Sequence, residues 1–288
     1  MTGPLLLHPP SPLEYFASLV ADDASLSVLE AAIAIAHDDF PALDSQAVLA
    51  EVDALAARLK VRIASDAAPM QRLRLLNRFF FQELGFAGNV NDYYDPKNSY
   101  VHAVLQTRRG IPITLAVLYL EIAGLIGLTV QGVSFPGHFL VKARMPQGEV
   151  VIDPFTGQSM SREALDALLV PYRRREGAAG AQMPLSLFLA AASSREIIAR
   201  MLRNLKEIHR TNDEPARLHA VLERLVILLP DDWIERRDRG LVAARLGAVT
   251  AAVADLSAYL ENVPQAGDRS AVAERLIELG HGDPSRLH

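Results

Sequence analysis

The last third of the chain repeats itself at a fixed interval: Pro230 recurs as Pro264, Leu222 as Leu256 and Arg203 as Arg237, each pair 34 residues apart. A period of that length commits a chain to stacked copies of one small unit, each burying its apolar face against its neighbours. About three such units are needed before a stack is stable alone. The segments flanking the two recognisable copies, residues 185–192 and 270–279, are therefore expected to act as caps.

The second copy, residues 233–264, places Gly240 and Ala243 in a first helix, Gly247 at a turn, Ala252 and Leu256 in a second helix and Pro264 at the close. It resembles a tetratricopeptide repeat, in which small residues let two antiparallel helices approach. The copy before it, residues 199–230, departs from that pattern, with Lys206 where Gly240 recurs and Leu218 where Ala252 recurs. A generic array of helical hairpins is the alternative reading. Either array exposes a concave surface suited to a peptide or helix, so a protein or peptide partner is expected.

The 288 residues, half of them apolar, are enough for two domains. The boundary is expected in the stretch 171–184, which holds two prolines, the arginines at 173–175 and a Gly/Ala run. This gives a first domain over 1–172 and a helical repeat domain over 185–288. Helical spacing at Val48, Val52, Leu55 and Leu59, with Asp44 and Ser45 as caps, predicts a helix there. Another is expected over 69–84, with Leu73, Leu76, Phe79 and Phe80 as its apolar face and Gly85 as its stop. Residues 89–99 read as a loop, dense in Asn, Asp and Pro. Pro112 then opens a long apolar helix, because a missing N–H costs nothing at the first helical position.

Beyond Gly127 the period changes to two, predicting strands at 128–134, 138–144 and 149–153, the last two joined through Pro146 and Gln147. With a two-residue turn, Arg144 pairs with Glu149, Val141 with Ile152 and Leu140 with Asp153. That register puts Phe139, Val141, Ala143, Val150 and Ile152 on one face and His138, Lys142, Arg144, Glu149 and Asp153 on the other, with Leu140 and Val151 as apolar exceptions. The predicted fold class is α+β, mostly helical, with a small antiparallel sheet followed by an all-α array.

Charge and composition exclude several classes. The net charge is −5, and no Lys or Arg precedes Arg58, while nine carboxylates do; nothing here favours nucleic acid as a partner. Residues 1–7 lack the basic start of a secretory signal, which predicts a cytoplasmic protein. The apolar run 111–133 carries Pro112, Glu121 and Gln131, and reads as a buried helix followed by a strand rather than a membrane span. With no cysteine in the chain, disulfides, thiolate metal sites and every cysteine nucleophile are removed together. None of the eight histidines falls in an HxxxH or HExxH pattern; a site built from His138 and Asp153 would need a third ligand such as His102. No metal and no cofactor is expected.

Four motifs in order, NDYYDPKNSY at 91–100, RRGIPITLAVLYLE at 108–121, GVSFPGHFLV at 132–141 and VIDPFTG at 151–157, resemble the bacterial SirB family, in which a transglutaminase-like, papain-like core precedes tetratricopeptide repeats. In that superfamily a cysteine at a helix N-terminus is followed by a histidine on a strand and an aspartate on the next. The resemblance assigns the second and third places to His138 and Asp153. The first place falls at or beside Pro112 and is vacant.

Thr114, in the first turn of the same helix, is either a weak substitute nucleophile or a group that satisfies helix N–H donors. Asn91, Asp95, Asn98 and Ser99, with Arg109, form either a polar wall beside the cleft or loop-closing turns. His138 and Asp153 either brace the hairpin or retain a function. The expected function is a non-catalytic interaction or regulatory module. The alternative is a hydrolase or acyl-transfer enzyme using the His138–Asp153 pair with water or Thr114.

Overall fold

A helix that is apolar on every side has to be enclosed on every side, and Pro112–Leu125 (α6) is until its last turn: all residues from Pro112 to Tyr119, and then Ile122 and Ala123, are buried. The structure, a computed structural model, describes residues 10–175 and 183–281. Around α6 pack the helices Val28–Ala34, Ser45–Lys60 and Val101–Thr107 together with the sheet. Gly127, at a φ of 76° that favours glycine, turns the chain from helix into strand, so the apolar run divides as its polar residues predict. Among the described residues no helix is long and apolar enough to cross a membrane.

The helix Ser45–Lys60 is capped by Asp44, whose carboxylate accepts from the N–H groups of Gln46 and Ala47, and it buries Val48, Val52, Leu55 and Leu59. The helix expected over 69–84 is regular only over Pro69–Asn77; Arg78–Glu83 widens into a π turn, closed by Leu84 N–H on the Phe79 carbonyl at 2.8 Å. The wider turn sets the neighbouring rings of Phe80 and Phe81 both against Tyr119, at 5.4 and 5.7 Å between centroids.

The sheet is an antiparallel series of Val130–Val133 (β3), Leu140–Met145 (β4), Gly148–Asp153 (β5) and Gln158–Ser159 (β6). Its central hairpin has the expected register, with Met145 opposite Gly148, Arg144 opposite Glu149 and Val141 opposite Ile152. Two features differ from expectation. β4 begins at Leu140 rather than His138, because Gly137, at φ 68°, bends the chain and the His138 N–H bonds back to the Phe135 carbonyl at 3.0 Å. Leu140 and Val151 are no exceptions on a solvated face; they meet Leu165 and Leu169 of the helix Arg162–Arg175 (α7), and Leu185, in a second core. Leu185 thus covers the sheet, where a cap for the repeats was expected. A two-stranded parallel pair, Ala87–Gly88 (β1) with Arg109–Gly110 (β2), lies outside this sheet.

Through Pro171 the chain stays helical to Arg175, and Arg173 bonds Asp166 at 3.1 Å, so part of the expected linker is ordered helix. Residues 176–182 of that stretch lie outside the described residues. The compact units divide elsewhere: one is Asp23–Met201, the other Met1–Asp22 with Leu202–His288. In the second unit Phe16, of the helix Pro12–Leu19, lies under the guanidinium of the buried Arg224 at 5.7 Å.

The repeat helices are Pro215–Leu228, Trp233–Arg245, Val249–Asn262 and Arg269–His281, preceded by Ser194–Thr211. At Gly240 a side chain has no room: a Cβ there would lie 3.0 Å from Asp255 Cβ and from the Leu256 side chain. The recurring arginines also acquire a common role. Arg203 reaches Asp232, which caps Trp233–Arg245, at 2.7 Å, and Arg237 reaches Asp268, the residue before Arg269–His281, at 2.5 Å. Each arginine ties its helix to the start of the next helix but one. The whole is an α+β fold, mostly helical, with a small antiparallel sheet followed by an all-α repeat array.

Candidate functional site

Asp153 ends β5 and its side chain is 8% exposed. A carboxylate so placed needs donors. Its Oδ1 accepts from the Phe155 N–H at 2.8 Å and lies 3.0 Å from His138 Nε2; its Oδ2 accepts from the Thr156 hydroxyl at 2.9 Å. Burial by itself pushes this carboxyl up; the bond and charge of His138, the Phe155 N–H and the Thr156 hydroxyl outweigh it and hold the group below the usual aspartate value.

His138 sits in the bend before β4 with its side chain 23% exposed. Nε2 is the nitrogen that donates to the carboxylate, and in the neutral ring that tautomer leaves the Nδ1 lone pair available. Among the described residues nothing bonds Nδ1. The pair is tied to the start of α6 by backbone bonds: the Phe155 carbonyl accepts from Gly88 N–H at 2.9 Å, Gly88 pairs with Gly110, and Pro112 follows two residues on.

Thr114 is fully buried, and its hydroxyl has no hydrogen-bond partner among the described residues. It neither faces solvent nor caps the helix; the N-cap residue, Ile111, supplies no side-chain bond either. The polar residues of the loop are largely occupied with one another. Asp95 accepts from Lys97 N–H at 2.9 Å; Asn98, 3% exposed, accepts from Asn89 and donates to the Asp92 and Tyr93 carbonyls. Arg109 donates to the Gly85 carbonyl at 2.6 Å, Ser99 is buried with an unpartnered hydroxyl, and Asn91 is exposed.

The structure therefore brings His138 and Asp153 together and binds Asp95, Asn98 and Arg109 into the loop and its neighbours. What the loop turns outward is aromatic, Tyr93 at 43% exposure and Tyr94 at 76%. The Tyr93 ring lies 6.0 Å from that of Phe155. Sequence reasoning passed over both rings, although two adjacent tyrosines in so polar a loop were a legible signal. His102 is away from this group, between Phe40 and Tyr100, where burial and then the charge of His37 depress its pKa. No cluster of three or more His, Cys, Asp or Glu suited to a metal occurs among the described residues.

A profile of the transglutaminase-like superfamily matches residues 46–203, and one of the tetratricopeptide repeat matches 205–277. A UPF0162 protein of Xylella fastidiosa strain Temecula1 is 35% identical over 263 residues, covering 90% of this chain and 92% of that one. A UPF0162 protein of Vibrio cholerae is 26% identical with coverage of 93% and 97%, and the UPF0162 protein YchA of Escherichia coli K12 is 27% identical with 84% and 88%. Among solved structures, one of menin overlaps at a TM-score of 0.43 and 11% identity, over 85% of this chain and 68% of that one.

Proposed function

The chain belongs to the transglutaminase-like UPF0162 family, and from that premise we propose that it is a non-catalytic member, a cytoplasmic protein-interaction or regulatory module. The observation that carries this reading is an oriented His138–Asp153 pair that lacks the nucleophile of the resemblance: the chain has no cysteine, and Thr114 is 0% exposed. With no thiol in the chain and the Thr114 hydroxyl enclosed, neither group can form an acyl intermediate, and the Thr156 hydroxyl is held by Asp153 as a donor. His138 Nδ1 then serves as a hydrogen-bond acceptor for a bound ligand, and no cofactor or metal is assigned.

The repeat array supplies the second surface. A cavity of ≈ 510 Å³ opens in the repeats, lined by Lys206, Arg210, Arg237 and Arg245 together with Glu207 and Asp238, over a leucine floor. Each cation is already held by an acid, Lys206 by Glu235 and Asp238, Arg210 by Glu207, Arg237 by Asp238 and Asp268, and Arg245 by Asp213, so the apolar floor favours a peptide that lays an apolar face there.

The intact pair also supports a second reading, hydrolysis or acyl transfer with His138 as base. Because Thr114 is buried, water would be the acceptor activated. Peptide, amide and ester panels separate the two readings. No turnover is expected from the wild type. Turnover that disappears in His138→Ala, with an unchanged melting curve, would restore the enzyme. Crosslinking in cell extract with mass spectrometry is expected to place a partner on residues 205–277; recovery of the chain alone would remove the interaction reading.

A further inference from the structure

On the helix Ser194–Thr211 the arginines are matched by acids with one exception. Arg195 meets Asp23 at 2.6 Å, Arg203 meets Asp232 at 2.7 Å and Arg210 meets Glu207 at 2.6 Å. Arg200 has no carboxylate within ion-pair distance among the described residues, although it is half-buried. Its Nη1 donates to the Ser134 hydroxyl at 2.7 Å and the Phe135 carbonyl at 3.2 Å, and its guanidinium lies 5.8 Å from the centre of the Phe139 ring. Neutral oxygens and a ring face fix such a cation in place but leave its charge uncompensated. Nε and Nη2 make no bond among the described residues.

The position of this cation is informative. The Phe135 carbonyl that accepts from Arg200 also accepts from the His138 N–H. His138 holds Asp153, Asp153 holds Phe155, and the Phe155 ring neighbours Tyr93. Arg200 and Tyr93 thus flank the His138–Asp153 pair, one on the histidine side and one on the aspartate side.

We propose that Arg200 and Tyr93 form a carboxylate-binding subsite beside the His138–Asp153 pair, which takes the C-terminal carboxylate or an acidic side chain of a peptide. A planar guanidinium with two donors to spare matches a carboxylate, and the phenol adds a neutral donor. The proposal rests on the reading of the His138–Asp153 pair as a ligand site and holds whether or not turnover follows.

The test uses the full chain, with its His138 ring resonances followed by NMR during titration with three probes: N-acetyl-Ala-Ala, the amide of that dipeptide, and N-acetyl-Glu N-methylamide. A free carboxylate is expected to bind roughly tenfold or more tightly than the amide, and Arg200→Gln to lose about that factor. Arg200→Lys should retain part of it. Binding of N-acetyl-Ala-Ala alone identifies a peptide C-terminus, and binding of the Glu probe alone an acidic side chain. Should Arg200→Gln fail to fold, Tyr93→Phe, at an exposed position, is expected to weaken the carboxylates several-fold and leave the amide unchanged. Equal binding of acid and amide, unaltered binding in the variants, or no response to either carboxylate would overturn the subsite. Turnover of a probe would overturn the non-catalytic reading and leave the subsite standing.

Discussion

The ring of Phe155 lies so close over the α-carbon of Gly88 that a methyl group there would come within 2.2 Å of it. The same two residues share a backbone bond, Gly88 N–H to the Phe155 carbonyl. Gly88→Ala must therefore move the ring or part the strands, and Phe155 also donates to Asp153. A loss of about 1–3 kcal/mol is expected, with displaced His138 ring resonances. Thermal melts and NMR of this variant decide it; unchanged curves would mean that the ring does not rest on Gly88.

Thr114→Val has the opposite expectation. The hydroxyl is buried without a partner, so replacing it by a methyl of similar shape leaves stability unchanged or raises it by about 1 kcal/mol. Chemical denaturation measures the difference. A marked destabilisation would show that the hydroxyl is bonded, and loss of a measured turnover would return Thr114 to the reacting groups.

Asp153 makes stability depend on acid. Its folded pKa lies below the ordinary value of 3.8, so between the two values the unfolded chain binds more protons and a fall in pH favours unfolding. The contribution is fully present above the unfolded value and is lost as pH drops through the folded one. Melts of wild type and Asp153→Asn from about pH 6 to about pH 2 should show a constant gap that narrows only at the acid end. A gap that widens with acid would reverse the assignment.

In the repeats, Gly240→Leu should cost about 1–3 kcal/mol by forcing apart the helices that meet at Leu256. Arg174→Ala, at an exposed position of α7, should change stability by at most about 0.5 kcal/mol. Full-length melts compare them directly. Equal, negligible shifts would mean that Gly240 is not at a helix contact.

The hairpin register was legible because alternation and a two-residue turn constrain the same pairing, and Met145 opposite Gly148 satisfies both. What covers the far side of that hairpin was not. Leu140 and Val151 announce an apolar neighbour, but their partners Leu165, Leu169 and Leu185 come later in the chain and only folding brings them there. The π turn at Arg78–Glu83 shifts helical phase by less than a short window resolves. His138 and Asp153 were legible as a pair by motif and register together. Arg200 was not, since among the many charges of an amphipathic helix only the absence of an acid opposite sets it apart.

Asp153 has two employments. It orients His138, and it also ties the following turn, through Phe155 N–H, the Thr156 hydroxyl and a bond from Gly157 N–H to its carbonyl at 2.8 Å. The turn needs this aspartate whatever His138 does. Failure of an Asp153 variant therefore reports on the turn as much as on the ring, and substitution at His138, which leaves the three turn bonds in place, is what separates the two.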